Sequence, residues 1–232
     1  MLELLQFRPA FGLLNASPFC MKAEVFLRLS GLPHRCVEQA LPMKAPKGKL
    51  PVLRDGTELI PDSQAIVEHV QRRYAARLPP ALRGPEPAAD LPLRRLVEEH
   101  SYFALLWLRW IDEPGWALTR VAFFGAMPAP LRAIVPPLVR RKIRRDLAGQ
   151  GIGRHAKEDI CARAAADLDA LHAALGPRPF FGGDEPSALD ATVYAYLANL
   201  LWVPLDSPLK QAAAANARLV AYAERMRARV IS

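Results

Sequence analysis

The chain has 232 residues, 51% hydrophobic and 23% charged, which excludes a disordered chain and leaves room for one or two domains with a real core. Its longest uncharged stretch, Ala191–Leu205, is about 15 residues against the roughly 20 that a membrane span requires, so it reads as a buried helix. The net charge of +8 is local: residues 132–145 hold Arg132, Arg140, Arg141, Lys142, Arg144 and Arg145 and no acid, and the rest of the chain sits at +2.

Leu2–Phe7 reads as a first strand. After a loop through Pro9, Gly12 and Asn15, Ser17 stands as a helix N-cap with Pro18 at the first helical position, where its fixed φ and missing N–H are harmless. Phe19, Ala23, Phe26, Leu27 and Ser30 share one helix face, with Lys22, Glu24 and Arg28 on the opposite one. Gly31 and Pro33 end the helix, and Arg35–Glu38 is a candidate second strand. Pro51–Arg54 and Glu58–Ile60 around Asp55-Gly56 form a hairpin. Asp62 or Ser63 then caps a helix with Ile66, Val70 and Tyr74 inward. This strand–helix–strand–hairpin–helix order is that of a thioredoxin-like domain over residues 1–77, and its parallel β-α-β start is right-handed by rule.

Residues 78–92 carry Pro79, Pro80, Gly84, Pro85, Pro87 and Pro92 and read as a linker. Residues 93–232 read as an all-helical domain, so the fold class is an α+β N-terminal domain followed by an all-α C-terminal one. Leu96, His100, Phe103, Trp107 and Ile111 mark one long amphipathic helix. Leu131–Leu147 is a basic helix with a break at Pro136-Pro137. Ile160–Leu175 presents Ala164, Leu168, Leu171 and Leu175 inward, Ala188–Val203 is almost uniformly apolar, and Leu219–Val230 closes the chain.

Three segments could carry chemistry. In Ser17-Pro18-Phe19-Cys20, free N–H groups and the positive helix end favour a thiolate, so Ser17 could activate a bound thiol or Cys20 could itself react. In Lys49-Leu50-Pro51-Val52, a cis Leu50–Pro51 bond would turn the Leu50 backbone toward a peptide ligand. Asp62-Ser63, opening a helix, matches an amino-acid head group, the hydroxyl and N–H groups suiting its carboxylate and Asp62 its ammonium. Each also has a plain structural role, as a cap, a packed cysteine or a strand-opening proline.

Taken together, Ser-Pro-Phe-Cys opening a helix, Gly-Lys-Leu-Pro-Val-Leu and Pro-Asp-Ser-Gln-Ala-Ile resemble the N-terminal domain of the glutathione transferases. Ser187-Ala-Leu-Asp190 resembles that family's helix-capping box. Ser17-Pro-Phe-Cys-Met-Lys-Ala-Glu, Ala45-Pro-Lys-Gly-Lys-Leu-Pro, Gly149-Gln-Gly-Ile-Gly-Arg-His155 and Leu189-Asp-Ala-Thr resemble its failed axon connections and metaxin-like branch. The resemblance implies glutathione as substrate, Ser17 in the activating position, Leu50 and Pro51 as the cis-proline pair, and Asp62 and Ser63 as the γ-glutamyl-binding pair. It also implies a homodimer. The short Gln39–Leu50 stretch leaves little room for the family's usual second helix, so Lys49, with Lys44 or Lys47, is a candidate for the glycyl carboxylate.

Phe11, Tyr102, Trp107, Arg109 and Trp110 are the expected walls of a pocket for a second, small electrophilic or apolar substrate, with Arg109 placed to attract an acidic one. The lack of a first cysteine before Pro18 excludes a dithiol cycle. The five histidines show no ligand spacing, so no metal is expected. Cys20, Cys36 and Cys161 make an odd count that suits a reducing compartment, and no basic start precedes an apolar block, so a cytoplasmic protein is expected. The basic 132–145 segment has no interleaved aromatics and is not the footprint of a nucleic-acid groove. The reading is a glutathione transferase activating the thiol for attack on an electrophile. The alternative is a non-catalytic metaxin-like adaptor whose basic helix meets an acidic partner or membrane surface.

Overall fold

A computed structural model of the chain describes residues 1–39 and 42–231. Strand β1 (Leu2–Gln6), helix α1 (Pro18–Ser30) and strand β2 (His34–Glu38) form the opening β-α-β unit. Strands β3 (Val52–Asp55) and β4 (Glu58–Pro61) and helix α2 (Ser63–Arg73) complete the domain. The sheet order is β2-β1-β3-β4, with β1 parallel to β2 and antiparallel to β3. Leu2, Leu4 and Leu53 face the helices and are buried, at the period of two that a strand imposes. Ser17 caps α1, its side chain accepting from the Cys20 N–H at 3.4 Å, and Gly31 takes the left-handed φ of 66° that ends it. Among the described residues between β2 and β3 there is a 3-10 turn, Pro42–Lys44, and no α-helix.

Leu78 and Leu82, inside the stretch that reads as a linker, are buried in the same core as both halves of the chain. The helical part begins with α3 (Leu91–Arg95), a π-helical segment (Leu96–Ser101) and α4 (Tyr102–Trp110), one continuous run. Then come α5 (Glu113–Phe124), α6 (Ala129–Gln150), α7 (Lys157–Leu175), α8 (Ala188–Leu201), α9 (Pro208–Ala215) and α10 (Ala217–Ile231). Helix α8 is the central post, every residue from Leu189 to Leu200 being buried, and it packs along α1.

Three local expectations are corrected. Lys22 and Glu24 are buried rather than solvated, because α1 lies between the sheet and α8, while Arg28 one turn on stays exposed. The stripe of Leu96, His100, Phe103, Trp107 and Ile111 is only partly covered. The buried stripe is Val97, Ser101, Ala104, Leu105 and Leu108, the same spacing displaced by one residue along the whole run, and on this face the Ser101 hydroxyl bonds Asp167 of α7. Helix α6 runs unbroken through Pro136 and Pro137. Consecutive prolines remove two N–H donors, but α6 is long enough to carry the helix across them.

Candidate functional site

The three sequence segments converge. The Leu50–Pro51 peptide bond is cis, and the Pro51 carbonyl accepts from the Asp62 N–H at 3.3 Å, tying the turn to the start of α2. Cys20, in the first turn of α1, packs with Leu50 and Val52. Lys22 Nζ donates to Gln64 Oε1 at 2.7 Å, joining α1 to the first turn of α2. Asp62 caps α2 by accepting from the N–H groups of Gln64 and Ala65 at 2.9 and 3.1 Å. It does so at φ 93°, a left-handed value rare outside glycine. Asp62 is exposed, Ser63 beside it is buried, and Lys49 is exposed on the same turn as Pro51.

Ser17 is half-buried at the mouth of this arrangement. Its backbone N–H donates to Asn15 Oδ1 at 3.0 Å, while Asn15 Nδ2 donates to the Phe7 carbonyl at 2.6 Å, so Asn15 shapes the loop that presents Ser17. The Ser17 hydroxyl accepts the long cap bond from the Cys20 N–H, and its own proton, which faces the Cys20 sulfur, is a donor. Cys20 itself is fully buried, and burial pushes its thiol up to about 12, although the Ser17 hydroxyl beside it works in the opposite direction. A thiol so protected is protonated at neutral pH, so the fold does not present Cys20 as a nucleophile.

The raised Cys20 pKa has a consequence for stability. The folded chain keeps this proton until about pH 12, whereas the unfolded thiol, with an ordinary value of 9.0, releases it earlier. The folded state therefore binds more protons through that window, and stability falls as pH rises by about 1.4 kcal/mol per unit from this group. Comparing wild type with Cys20→Ala in denaturant titrations, the gap between them is expected to narrow at that slope above pH 9. A gap independent of pH would refute the assignment.

Of the five residues expected to wall the second pocket, Tyr102 lines a small half-open crevice. It shares this crevice of about 10 Å³, room for one water, with Pro18, Phe19, Lys22, Thr192 and Tyr196. Its ring meets Phe19 edge-on at 4.7 Å, and burial pushes its phenol up to about 12. The Thr192 hydroxyl beside it is buried and has no hydrogen-bond partner among the described residues. Trp107 is partly buried against the core, and Trp110 stacks with Trp116, Phe123 and Phe124, a cluster reaching the first domain through Phe7 and Phe123 at 5.6 Å.

Arg109 is not free to attract a co-substrate. It is buried, donating to the Ala16 carbonyl at 2.6 Å and to the Asn199 carbonyl and Oδ1 at 2.7 and 2.9 Å, with the Phe11 ring 6.0 Å from its guanidinium. Its charge is spent on pinning the loop before α1 to the end of α8.

Residues that periodicity assigns to solvent belong to the site. Lys22 also pairs with Glu98 at 2.6 Å, and Glu98 with Arg94 at 3.0 Å, so an ion network crosses from α1 to the helical domain. Burial pushes the Lys22 ammonium down and Glu98 opposes it. His100, on the same helical run, sits 2.6 Å from Asp167, which also accepts from Ser101 at 2.6 Å. A larger groove of about 550 Å³ lies away from these residues, between β2 and the loop before α1, lined by Gln6, Leu13, Glu24, Cys36 and Ile231.

Known proteins share both the sequence pattern and the architecture. A family model described as the glutathione S-transferase N-terminal domain matches residues 18–115, and one for the C-terminal domain matches residues 164–226. The isoprene-epoxide–glutathione S-transferase of Rhodococcus sp. (strain AD45) is 31% identical over 98% of both chains. Failed axon connections of Drosophila melanogaster is 29% identical over 88% of this chain and 51% of its own length. Human metaxin-1 is 30% identical over 89% of this chain and 46% of its own length. Among solved structures, a glutathione S-transferase of Ceriporiopsis subvermispora in complex with glutathione superposes with a TM-score of 0.70 at 16% identity, covering 98% of this chain and 97% of that one.

Proposed function

The chain belongs to the glutathione S-transferase family, and from that premise we propose that it binds glutathione where α1, the Leu50–Pro51 turn and α2 meet and activates its thiol. The contacts that bring these three segments together carry the reading. Asp62 takes the ammonium of the γ-glutamyl group, and the Ser63 hydroxyl with the Ser63 N–H takes its carboxylate, the Gln64 and Ala65 N–H groups being held by Asp62. The Leu50 backbone pairs with the cysteinyl unit as an added strand. Lys49 faces the glycyl carboxylate.

The sulfur then lies at the N-terminus of α1. The Ser17 hydroxyl donates to it, and the helix end adds positive charge, so the thiol loses its proton to water near neutral pH. The thiolate attacks an electrophilic carbon, forming a C–S bond. Because a relative matched over 98% of both chains is named for an epoxide of isoprene, the substrate class proposed is a small apolar electrophile such as an epoxide. There the C–O bond breaks and the alkoxide takes a proton, for which the protonated Tyr102 phenol beside Phe19 is the donor.

Calorimetry with glutathione tests the site. Wild type is expected to bind, and Ser63→Ala to bind at least about tenfold more weakly, the effect of one hydrogen bond to a charged group. Ser17→Ala is expected to keep most of the affinity but lose about a hundredfold or more in conjugation rate, as when one donor to a developing anion is removed. No binding by wild type at millimolar glutathione would overturn the reading. Glutathione binding without conjugation of any general electrophile favours the second reading, a non-catalytic binding protein, which the likeness to failed axon connections and the metaxins supports.

A further inference from the structure

We propose that the outward face of the α5–α6 hairpin seats on an anionic lipid bilayer. From Arg120 to Arg145 every residue is apolar, glycine, proline, arginine or lysine, and the bracketing acids are Glu113 and Asp146. Among the described residues, half of the exposed large hydrophobics lie here: Val121 (65% exposed), Leu131 (50%), Ile134 (58%) and Leu138 (60%).

The face is continuous. Leu131, Ile134, Leu138, Arg141 and Arg145 succeed one another at spacings of three and four, so they line one side of α6. The opposite side holds Pro136 and Leu147, both buried. The hairpin is also clamped from beneath. Arg140 donates to the carbonyls of Trp110 and Ile111 at 2.9 and 2.8 Å, pairs with Glu113 at 2.7 Å and lies 5.0 Å over the Trp116 ring. Arg140 is therefore structural and is not counted in the binding face. The outward stripe is not a core side left uncovered by a loose helix.

Its chemistry selects the occupant. A folded protein partner makes roughly one hydrogen bond per 100–200 Å², both given and received, whereas the side chains of this face can only donate, through arginine and lysine, and hold no acceptor. A second copy would oppose one acid-free basic surface to another, with like charges uncompensated. Hydrocarbon and lipid phosphate ask for what is there: aliphatic side chains at the N-terminal half of α6 to enter the interface, and cations at its C-terminal half. Arg120, Arg141 and Arg145 have no ion pair among the described residues, so their charges are available. No described helix is long and apolar enough to cross a membrane, so the contact is a surface seat. It is independent of the glutathione site.

Sedimentation of the full chain with phosphatidylcholine vesicles, with and without phosphatidylserine, tests this. Binding is expected only with phosphatidylserine and should weaken as salt rises. Each charge removed should weaken it about fivefold, so Arg141→Gln with Arg145→Gln lowers it about 25-fold. Ile134→Asp with Leu138→Asp, at exposed positions, should abolish binding while the thermal melt is unchanged. Failure of wild type to bind phosphatidylserine vesicles at low salt overturns the proposal. So does unaltered binding by both variant pairs. If vesicles are not bound and Ile134→Asp with Leu138→Asp instead splits a dimer in gel filtration, the face is a contact between copies. Capture by polyglutamate without vesicle binding assigns it to an acidic protein and overturns the lipid seat equally.

Discussion

Arg109→Met will lower the unfolding free energy by about 2–4 kcal/mol and lower the conjugation rate more than glutathione affinity. Two effects oppose each other here. Burial disfavours the guanidinium strongly enough to bring its pKa down to about 10, so removing it relieves a desolvation penalty. Against that, the Asn199 carbonyl belongs to the last turn of α8 and has no partner within the helix, and the Ala16 carbonyl lies just before α1. Methionine leaves both buried acceptors and Asn199 Oδ1 without their donor. Three orphaned acceptors at about 1 kcal/mol or more each outweigh the relief, and a cation favourable at a helix C-terminus is lost as well. Arg109→Lys will not restore the wild-type value, because one ammonium cannot span the fork between Ala16 and Asn199. The rate is affected because Asn199 Nδ2 also holds the Asn15 carbonyl at 3.2 Å, and Asn15 holds the Ser17 N–H. Arg109 is thus a positioning residue for Ser17. Equal loss in Arg109→Met and Arg109→Lys with unchanged kcat would reduce it to a purely structural role.

The legible parts of the sequence are those whose signals are local. Ser17-Pro18 is a cap and a first-turn proline, and Gly31 a left-handed stop; each is decided by its own backbone, and each stands where expected. The hairpin around Gly56 and the capping box of Ser187 and Asp190 are equally local. Lys22, Glu24 and Arg109 escape such reading: α1 is covered on both sides, and Lys22 and Arg109 find partners 42 to 90 residues away in the chain, in Gln64, Glu98 and Asn199. Periodicity assigns a charged residue to water; it has no means of seeing that α8 covers the second face of α1. The shifted stripe on the run from Leu96 to Ile111 has another cause: two faces one residue apart carry the same spacing, and packing against α7, where Ser101 bonds Asp167, decides which of them is covered. Asp62 shows the limit from the other side. The residue type names the cap correctly, while the positive φ that sets it appears only in the fold.

Asp190→Ala is expected to be the most damaging single change in the helical domain, costing about 3–5 kcal/mol and lowering the melting temperature by well over 5 °C. The carboxylate is fully buried and accepts from the N–H groups of Phe181, Gly182 and Ser187 at 2.8, 3.0 and 2.8 Å and from the Ser187 hydroxyl at 3.0 Å. It therefore does two jobs at once. It closes the capping box of α8, and it ties the loop before that helix to the helix itself. Alanine would leave three backbone donors unsatisfied beside the core, each at about 1–3 kcal/mol. The loop is anchored by Phe181, which is buried with its ring edge-on to Tyr222 at 5.3 Å, so the Phe181 N–H cannot turn to water. Burial raises the Asp190 pKa against all four hydrogen bonds, which shows how much solvation the site has given up. Asp190→Asn keeps one acceptor oxygen and should lose roughly half as much. Since α8 packs along α1, the damage should reach the glutathione site, so chemical denaturation and glutathione affinity should fall together in Asp190→Ala. A variant as stable as wild type would mean that the loop is held by other contacts and that the box is only a local cap.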